Sequence, residues 1–174
     1  DEVVFMTGPI LVTVLATGWH PVAGLATALV AGTGGTLFFA AQRATSPPPM
    51  PRTRGVRLAP IPVEVMVPVC VVGVALGTLF GAAEVATVAF ATEHDHQGYA
   101  GLLLALWAAG SLIAGVITGL VQWKVGPALR LRWGAVAMAV AMLPLSLIDS
   151  LWLMGGWLFV AGFAIAPTIV ASLS

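Results

Sequence analysis

Six long runs of apolar residues constrain the fold of this chain more than any other feature. They cover residues 3–17, 22–41, 61–91, 99–122, 128–148 and 151–173. A helix needs about 20 apolar residues to cross the hydrocarbon of a bilayer, and only helices or closed barrels satisfy their backbone there. Because the runs do not alternate between apolar and polar residues, we predict an all-α membrane protein with six transmembrane helices.

The small number of charges also indicates a lipid environment. Of the 174 residues, 59% are hydrophobic and 8% are charged, whereas about 25% of the residues in a soluble domain are charged. Seven acidic and seven basic side chains give a net charge of zero, so nothing suggests a nucleic-acid partner. The single cysteine, Cys70, excludes an internal disulfide and a cysteine zinc cluster.

The positions of the basic residues predict the orientation of the chain. All Lys and Arg residues fall in two connections, the proline-rich segment 42–60 and the segment 123–132. With six spans these connections lie on the same face, and the positive-inside rule makes that face cytoplasmic. The opposite face receives His20, the loop at 93–96 and Asp149, without any Lys or Arg. We therefore expect a multi-pass protein of the plasma (inner) membrane with both basic loops in the cytoplasm.

The connection between the fourth and fifth spans carries a recognisable pattern. Gly119, Lys124, Gly126 and Arg130 occur there in order. Their spacing resembles a cytoplasmic loop motif of the major facilitator superfamily, although Trp123 stands where the family usually has Asp. In the family the motif lies between helices 2 and 3 and, in a weaker form, between helices 8 and 9. The form found here resembles the second copy.

This resemblance implies that the six spans are helices 5 to 10 of a twelve-helix transporter. Residues 1–41 would then form the last two helices of the N-terminal half, and residues 42–60 the cytoplasmic linker between the halves. Residues 61–174 would form the first four helices of the C-terminal half. The resemblance also implies that the loop motif serves closure on the cytoplasmic side. The chain is then expected to be the middle of a longer polypeptide, with the other helices of the transporter as its partners.

A shorter pattern occurs in the first span. Thr7-Gly8-Pro9 resembles the Gly-Pro of a helix 5 motif found in many proton-coupled drug exporters of the superfamily, but the glycine pair that follows in that motif is absent. Two interpretations stay open. Gly8 and Pro9 form either a local helix kink, since both residues are common in membrane helices, or part of a helix 5 of the export type.

Glu84 is the first candidate for chemistry, because it lies inside the third span. A carboxylate in hydrocarbon is costly and usually faces a cavity, a partner or a proton path. Helix 7 borders the central cavity in the family, so the resemblance implies that Glu84 lies near the substrate or a coupling proton. The alternative is a packing carboxylate bonded to a hydroxyl such as that of Thr87. Trp107 and Trp157 are further candidates for contacting a substrate, with packing or lipid contact as the alternative.

The other polar residues suggest neither a metal site nor an enzyme. The run Glu93-His94-Asp95-His96 is expected to be a solvated outer loop, because consecutive residues rarely converge on one metal ion. No histidine lies within a span to activate Ser111. We therefore expect no catalytic residue, no metal and no cofactor.

Two prolines, Pro144 and Pro167, lie inside predicted spans and remove backbone hydrogen bonds there, as hinges or as packed kinks. Together, the residues and the resemblance predict a transporter of a small organic solute that works by alternating access. Gly8 and Pro9 suggest proton-coupled export. The competing hypothesis is a truncated or non-transporting membrane scaffold that needs a partner chain.

Overall fold

The computed structural model of the chain describes residues 2–42 and 62–172, and all regular structure in these ranges is helical. Short 3₁₀ helices at Gln97–Tyr99 and Leu143–Leu147 accompany the α-helices. The predicted linker at 42–60 lies, apart from Gln42, outside the described residues. The α-helices have the following bounds: α1 Glu2–Gly18, α2 Pro21–Ala41, α3 Val63–Glu93, α4 Ala100–Leu120, α5 Pro127–Met142, α6 Leu151–Gly162 and α7 Ile165–Ser172.

The lengths of these helices support a membrane protein. Within the described residues, five helical stretches are long and apolar enough to cross a membrane: Pro21–Ala41, Cys70–Glu93, Gln97–Leu120, Pro127–Leu147 and Leu151–Ser172. The apolar helix Val3–Gly18 is shorter. The 17 residues of α1 rise about 26 Å, slightly less than the hydrocarbon thickness of about 30 Å. The all-α fold is thus confirmed for the described residues, whereas a sixth crossing by the first predicted span stays a prediction.

The turn between α1 and α2 is tight, because α1 ends at Gly18 and α2 begins at Pro21. His20 caps α2, since its Nδ1 accepts a hydrogen bond of 3.2 Å from the backbone N–H of Val22. Pro21 occupies the start of the helix, where no N–H donor is required. α2 then returns along α1, and Gly24 lies against the backbone of Val12.

α4 is the centre of the described helices and packs against α1, α3, α6 and α7. Its closest approach is to α6, where Gly110 faces Gly162. A Cβ on Gly162 would lie 3.0 Å from the Cα of Gly110. A Cβ on Gly110 would overlap the carbonyl oxygen of Phe159. Small residues at this crossing therefore let α4 pack closely against α6.

Pro144 and Pro167 both lie at interruptions of the helices. α5 ends at Met142 and continues as a 3₁₀ helix, because Pro144 has no N–H to give to the carbonyl of Val140. That carbonyl accepts a hydrogen bond from the N–H of Leu143 instead. The predicted sixth span consists of two helices, α6 and α7, rather than one. The break at residues 163–164 lies where Pro167 leaves the carbonyl four residues earlier without its helical donor.

Candidate functional site

A cleft of about 290 Å³ opens between α1, α3, α4 and α7. Its walls are mostly aromatic and aliphatic, with one carboxylate and one hydroxyl among the lining residues, and this volume lies near the lower end for small-molecule sites. One of these helices, α1, precedes the 42–60 linker in the sequence, and the other three follow it. We call this space the Glu84 cleft. Its lining residues are Phe5, Pro9, Phe80, Glu84, Leu104, Trp107, Ala108, Ser111, Ile165 and Ile169.

Glu84 brings the charge to this cleft. It lies on α3 next to the buried Ala83, and its own side chain is exposed. Thr87, the hydroxyl considered as its packing partner, donates to the carbonyl oxygen of Ala83 at 2.7 Å instead. Within the described part of the chain, Glu84 has neither a hydrogen-bond partner nor an ion-pair partner. Its carboxylate is therefore available to a solute or a proton in the cleft.

Trp107 forms an inner wall of the same cleft. Its side chain is only 4% exposed, and its ring centroid lies 5.3 Å from that of Phe80. The indole Nε1 is buried and has no hydrogen-bond partner among the described residues. A buried donor without an acceptor costs about 1–3 kcal/mol. A water or solute that supplied an acceptor to this N–H would remove that cost.

The structure does not bring Trp157 to the Glu84 cleft. Its indole Nε1 donates a hydrogen bond of 2.7 Å to the carbonyl oxygen of Ala141 near the end of α5. In the 3₁₀ helix that follows α5, the backbone donor to this carbonyl would be residue 144, three positions further on. Pro144 has no N–H to donate. Trp157 therefore joins α6 to the distorted end of α5, which corresponds to the packing alternative and makes the kink at Pro144 a packed one.

The Gly-Pro pair of the first span lies on the α1 side of the cleft. α1 is helical from Glu2 to Gly18 although Pro9 lies within it. Pro9 lines the cleft, and its carbonyl oxygen lies against Gly101 of α4. Gly8 has open space around its Cα. Pro9 therefore belongs to the contact between α1 and α4, and the relation of the Gly-Pro pair to an export motif stays a prediction.

The loop motif lies between α4 and α5, where Lys124 and Gly126 occupy the connection and Gly119 lies in open space on α4. Trp123 donates its indole N–H to the carbonyl oxygen of Thr118 at 3.0 Å, at the end of α4. The guanidinium carbon of Arg130 lies 5.3 Å from the centroid of the Trp123 ring. Trp123 thus connects the end of α4 to the start of α5 by a hydrogen bond and a cation–π contact, without the Asp that the family usually has. No pattern in the sequence indicates this arrangement.

In the loop at 93–96 both histidines make local contacts with the backbone. The Nδ1 of His94 lies 2.9 Å from the carbonyl oxygen of Phe90, and the Nδ1 of His96 contacts the carbonyl oxygen of His94. Asp95 has a φ of 57°, in the left-handed region. In the described ranges, no three His, Cys, Asp or Glu side chains are grouped to hold a metal ion.

The chemical capacity of the Glu84 cleft follows from its own side chains. One carboxylate, one buried indole donor and several aromatic rings surround a space of small-molecule size. Such a lining is suited to binding and orienting a small solute. The sequence matches no protein-family model, and neither a curated protein nor a solved structure matches the chain.

Proposed function

We propose that this chain is part of a secondary transporter of the major facilitator type, which moves a small organic solute across the plasma (inner) membrane. The single observation that carries the proposal is that helices from before and after the 42–60 linker together line the Glu84 cleft. α1 lies before the linker at 42–60, whereas α3, α4 and α7 lie after it, and all four helices line the cleft. Alternating access requires a site at the interface of two helical units that rock against each other.

In this proposal the helices take positions 5 to 10 of a twelve-helix transporter, and both basic loops are cytoplasmic. The side chains of the Glu84 cleft favour a solute with an apolar body and a positive charge. Phe80 and Trp107 offer ring faces for a cation, and Glu84 offers a negative charge. When the solute leaves, a proton can take its place on the Glu84 carboxylate. Exchange of the two on one group couples export to an inward proton gradient.

Transport in proteoliposomes with an acidic interior tests the role of Glu84. The probe is radiolabelled benzyltrimethylammonium, a small aromatic cation, and the measured quantity is its gradient-driven uptake. We expect uptake by the wild-type protein and loss of the response to the gradient in Glu84→Gln. Glu93→Gln is the matched control, because Glu93 ends the same helix but does not line the cleft. Gradient-driven uptake by Glu84→Gln at the wild-type rate would remove Glu84 from the coupling mechanism.

A non-transporting membrane scaffold is the second candidate, and the surface of α2 favours it. Gly24 is the buried residue of this helix, and large apolar side chains such as Leu25, Phe38 and Phe39 are exposed. A helix with so little of its surface covered can pack against a partner chain. A scaffold does not need to open the Glu84 cleft to both sides of the membrane, whereas a transporter does.

A further inference from the structure

A second cleft, of about 300 Å³, lies where the end of α4, the first turns of α5 and the break between α6 and α7 meet. We call it the Arg130 cleft. Its lining includes Trp123, Arg130 and Trp133 together with the apolar residues Ala137 and Pro167. It shares no lining residue with the Glu84 cleft.

The positive charge of Arg130 is not paired with an acidic side chain among the described residues. Residues 97–148 contain Lys124, Arg130 and Arg132 but no Asp or Glu. Arg130 is half-buried, its guanidinium carbon lies 5.3 Å from the centroid of the Trp123 ring, and no carboxylate of the described chain lies within ion-pair distance of it. A guanidinium has five N–H donors, so Arg130 can bind an oxyanion while it keeps this cation–π contact. A phosphate is the anion that this fork of donors matches.

Apart from Thr118, the other lining residues of the cleft are apolar and include Ala137 and Pro167. Trp133, which also lines the cleft, is 67% exposed. Tryptophan is enriched at the ends of membrane spans, where its ring meets the lipid headgroups. A free phosphate ion would contact Arg130 but would gain nothing from these apolar residues. A molecule with a phosphate and a hydrocarbon chain would use both parts of the cleft.

We infer that the Arg130 cleft binds an anionic phospholipid, with its phosphate on Arg130 and an acyl chain along Ala137 and Pro167. The inference does not depend on the proposed transport function. A basic residue near a membrane surface strengthens the binding of anionic lipid about fivefold. Because Arg130 is half-buried at the cleft, the lipid phosphate should bind there in preference to other basic residues of the protein.

Native mass spectrometry of the protein released from nanodiscs tests this inference. The nanodiscs contain equal amounts of phosphatidylglycerol and phosphatidylcholine, and the measured quantity is the ratio of the two lipids retained. We expect the wild-type protein to retain phosphatidylglycerol preferentially, and Arg130→Gln to reduce the preference about fivefold. Arg132→Gln is the matched control, because Arg132 carries the same charge on the same helix but does not line the cleft. That variant should keep the wild-type ratio.

A second variant tests the apolar lining without changing any charge. Ala137→Phe fills the space along which the acyl chain would lie, and we expect it to lose the preference as Arg130→Gln does. The inference is wrong if the wild-type protein shows no preference or if Arg130→Gln and Arg132→Gln lose it equally. Retention of the wild-type ratio by Ala137→Phe would also contradict it. Inorganic phosphate added at millimolar concentration should leave the lipid bound, and displacement by that ion would show a simple anion site instead.

Discussion

Gly101 of α4 lies directly against the backbone of Pro9 in α1. A Cβ on Gly101 would be 2.5 Å from the carbonyl oxygen of Pro9 and 2.7 Å from the hydroxyl oxygen of Thr13. This contact joins the helix before the 42–60 linker to a helix after it. Because Pro9 and Leu104 both line the Glu84 cleft, the distance that Gly101 permits between α1 and α4 also sets the width of the cleft.

Substitution of Gly101 by alanine should therefore separate α1 from α4. The nearest neighbour of the added methyl group is the backbone carbonyl of Pro9, so rotation of the Thr13 side chain alone cannot accommodate it. We expect the free energy of unfolding to fall by about 1–3 kcal/mol, measured by denaturant titration in mixed micelles. Gly119→Ala is the control, because Gly119 lies on the same helix with open space around it. There the higher helix propensity of alanine should leave stability unchanged or raise it by up to about 1 kcal/mol. Equal losses in both variants would show that Gly101 has no special role in this contact.

Trp107 and Trp157 should respond differently to replacement by phenylalanine. Trp157→Phe removes the hydrogen bond to the carbonyl oxygen of Ala141, so we expect a loss of about 0.5–1.5 kcal/mol in the free energy of unfolding. Trp107→Phe leaves a small cavity in the core but also removes a buried N–H that has no acceptor in the described structure. These two effects oppose each other, so the free energy of unfolding should change less than in Trp157→Phe. The same denaturant titration measures both variants.

Trp107→Phe should nevertheless weaken the uptake of benzyltrimethylammonium, because the smaller ring offers a cation a weaker face. Trp157→Phe should leave the affinity for this probe unchanged, since Trp157 does not line the cleft. A loss of stability in Trp107→Phe larger than the smaller ring accounts for would mean that the indole N–H of Trp107 is bonded in the folded protein. It would also contradict the assignment of that N–H to the cleft.

Much of the helical architecture was predictable because long apolar runs have few alternatives in lipid. The predicted second span at 22–41 and the observed α2, Pro21–Ala41, differ by one residue at the start. Pro144 and Pro167 also indicated where helices are distorted. Pro167 is accompanied by an interruption between α6 and α7, whereas α1 continues through Pro9. A sequence does not show whether neighbouring groups will compensate for the hydrogen bond that a proline removes.

The candidate site was predictable only in part, for a physical reason. Glu84 stood out because a carboxylate inside an apolar run is costly, and the structure places it at a cleft. Phe5 and Phe80 could not be singled out, since an aromatic ring that lines a cleft and one that faces lipid look identical in an apolar run. Trp107 and Trp157 were indistinguishable in the sequence for the same reason. Only the packing of the helices shows that Trp107 on α4 lines the cleft and that Trp157 on α6 bonds to α5.

Labelling of a thiol in the Glu84 cleft from each side of the membrane tests the central claim most directly. Ala108 lines the cleft near the middle of α4, and Ala109 beside it does not. Ala108→Cys and Ala109→Cys are compared in a background in which the exposed Cys70 is replaced by alanine. A membrane-impermeant methanethiosulfonate reagent with a trimethylammonium group is added to one side or the other of oriented vesicles. The account predicts that the thiol of Ala108→Cys reacts from both sides and that of Ala109→Cys from neither. Reaction of Ala108→Cys from one side only, or from neither, would contradict alternating access through this cleft.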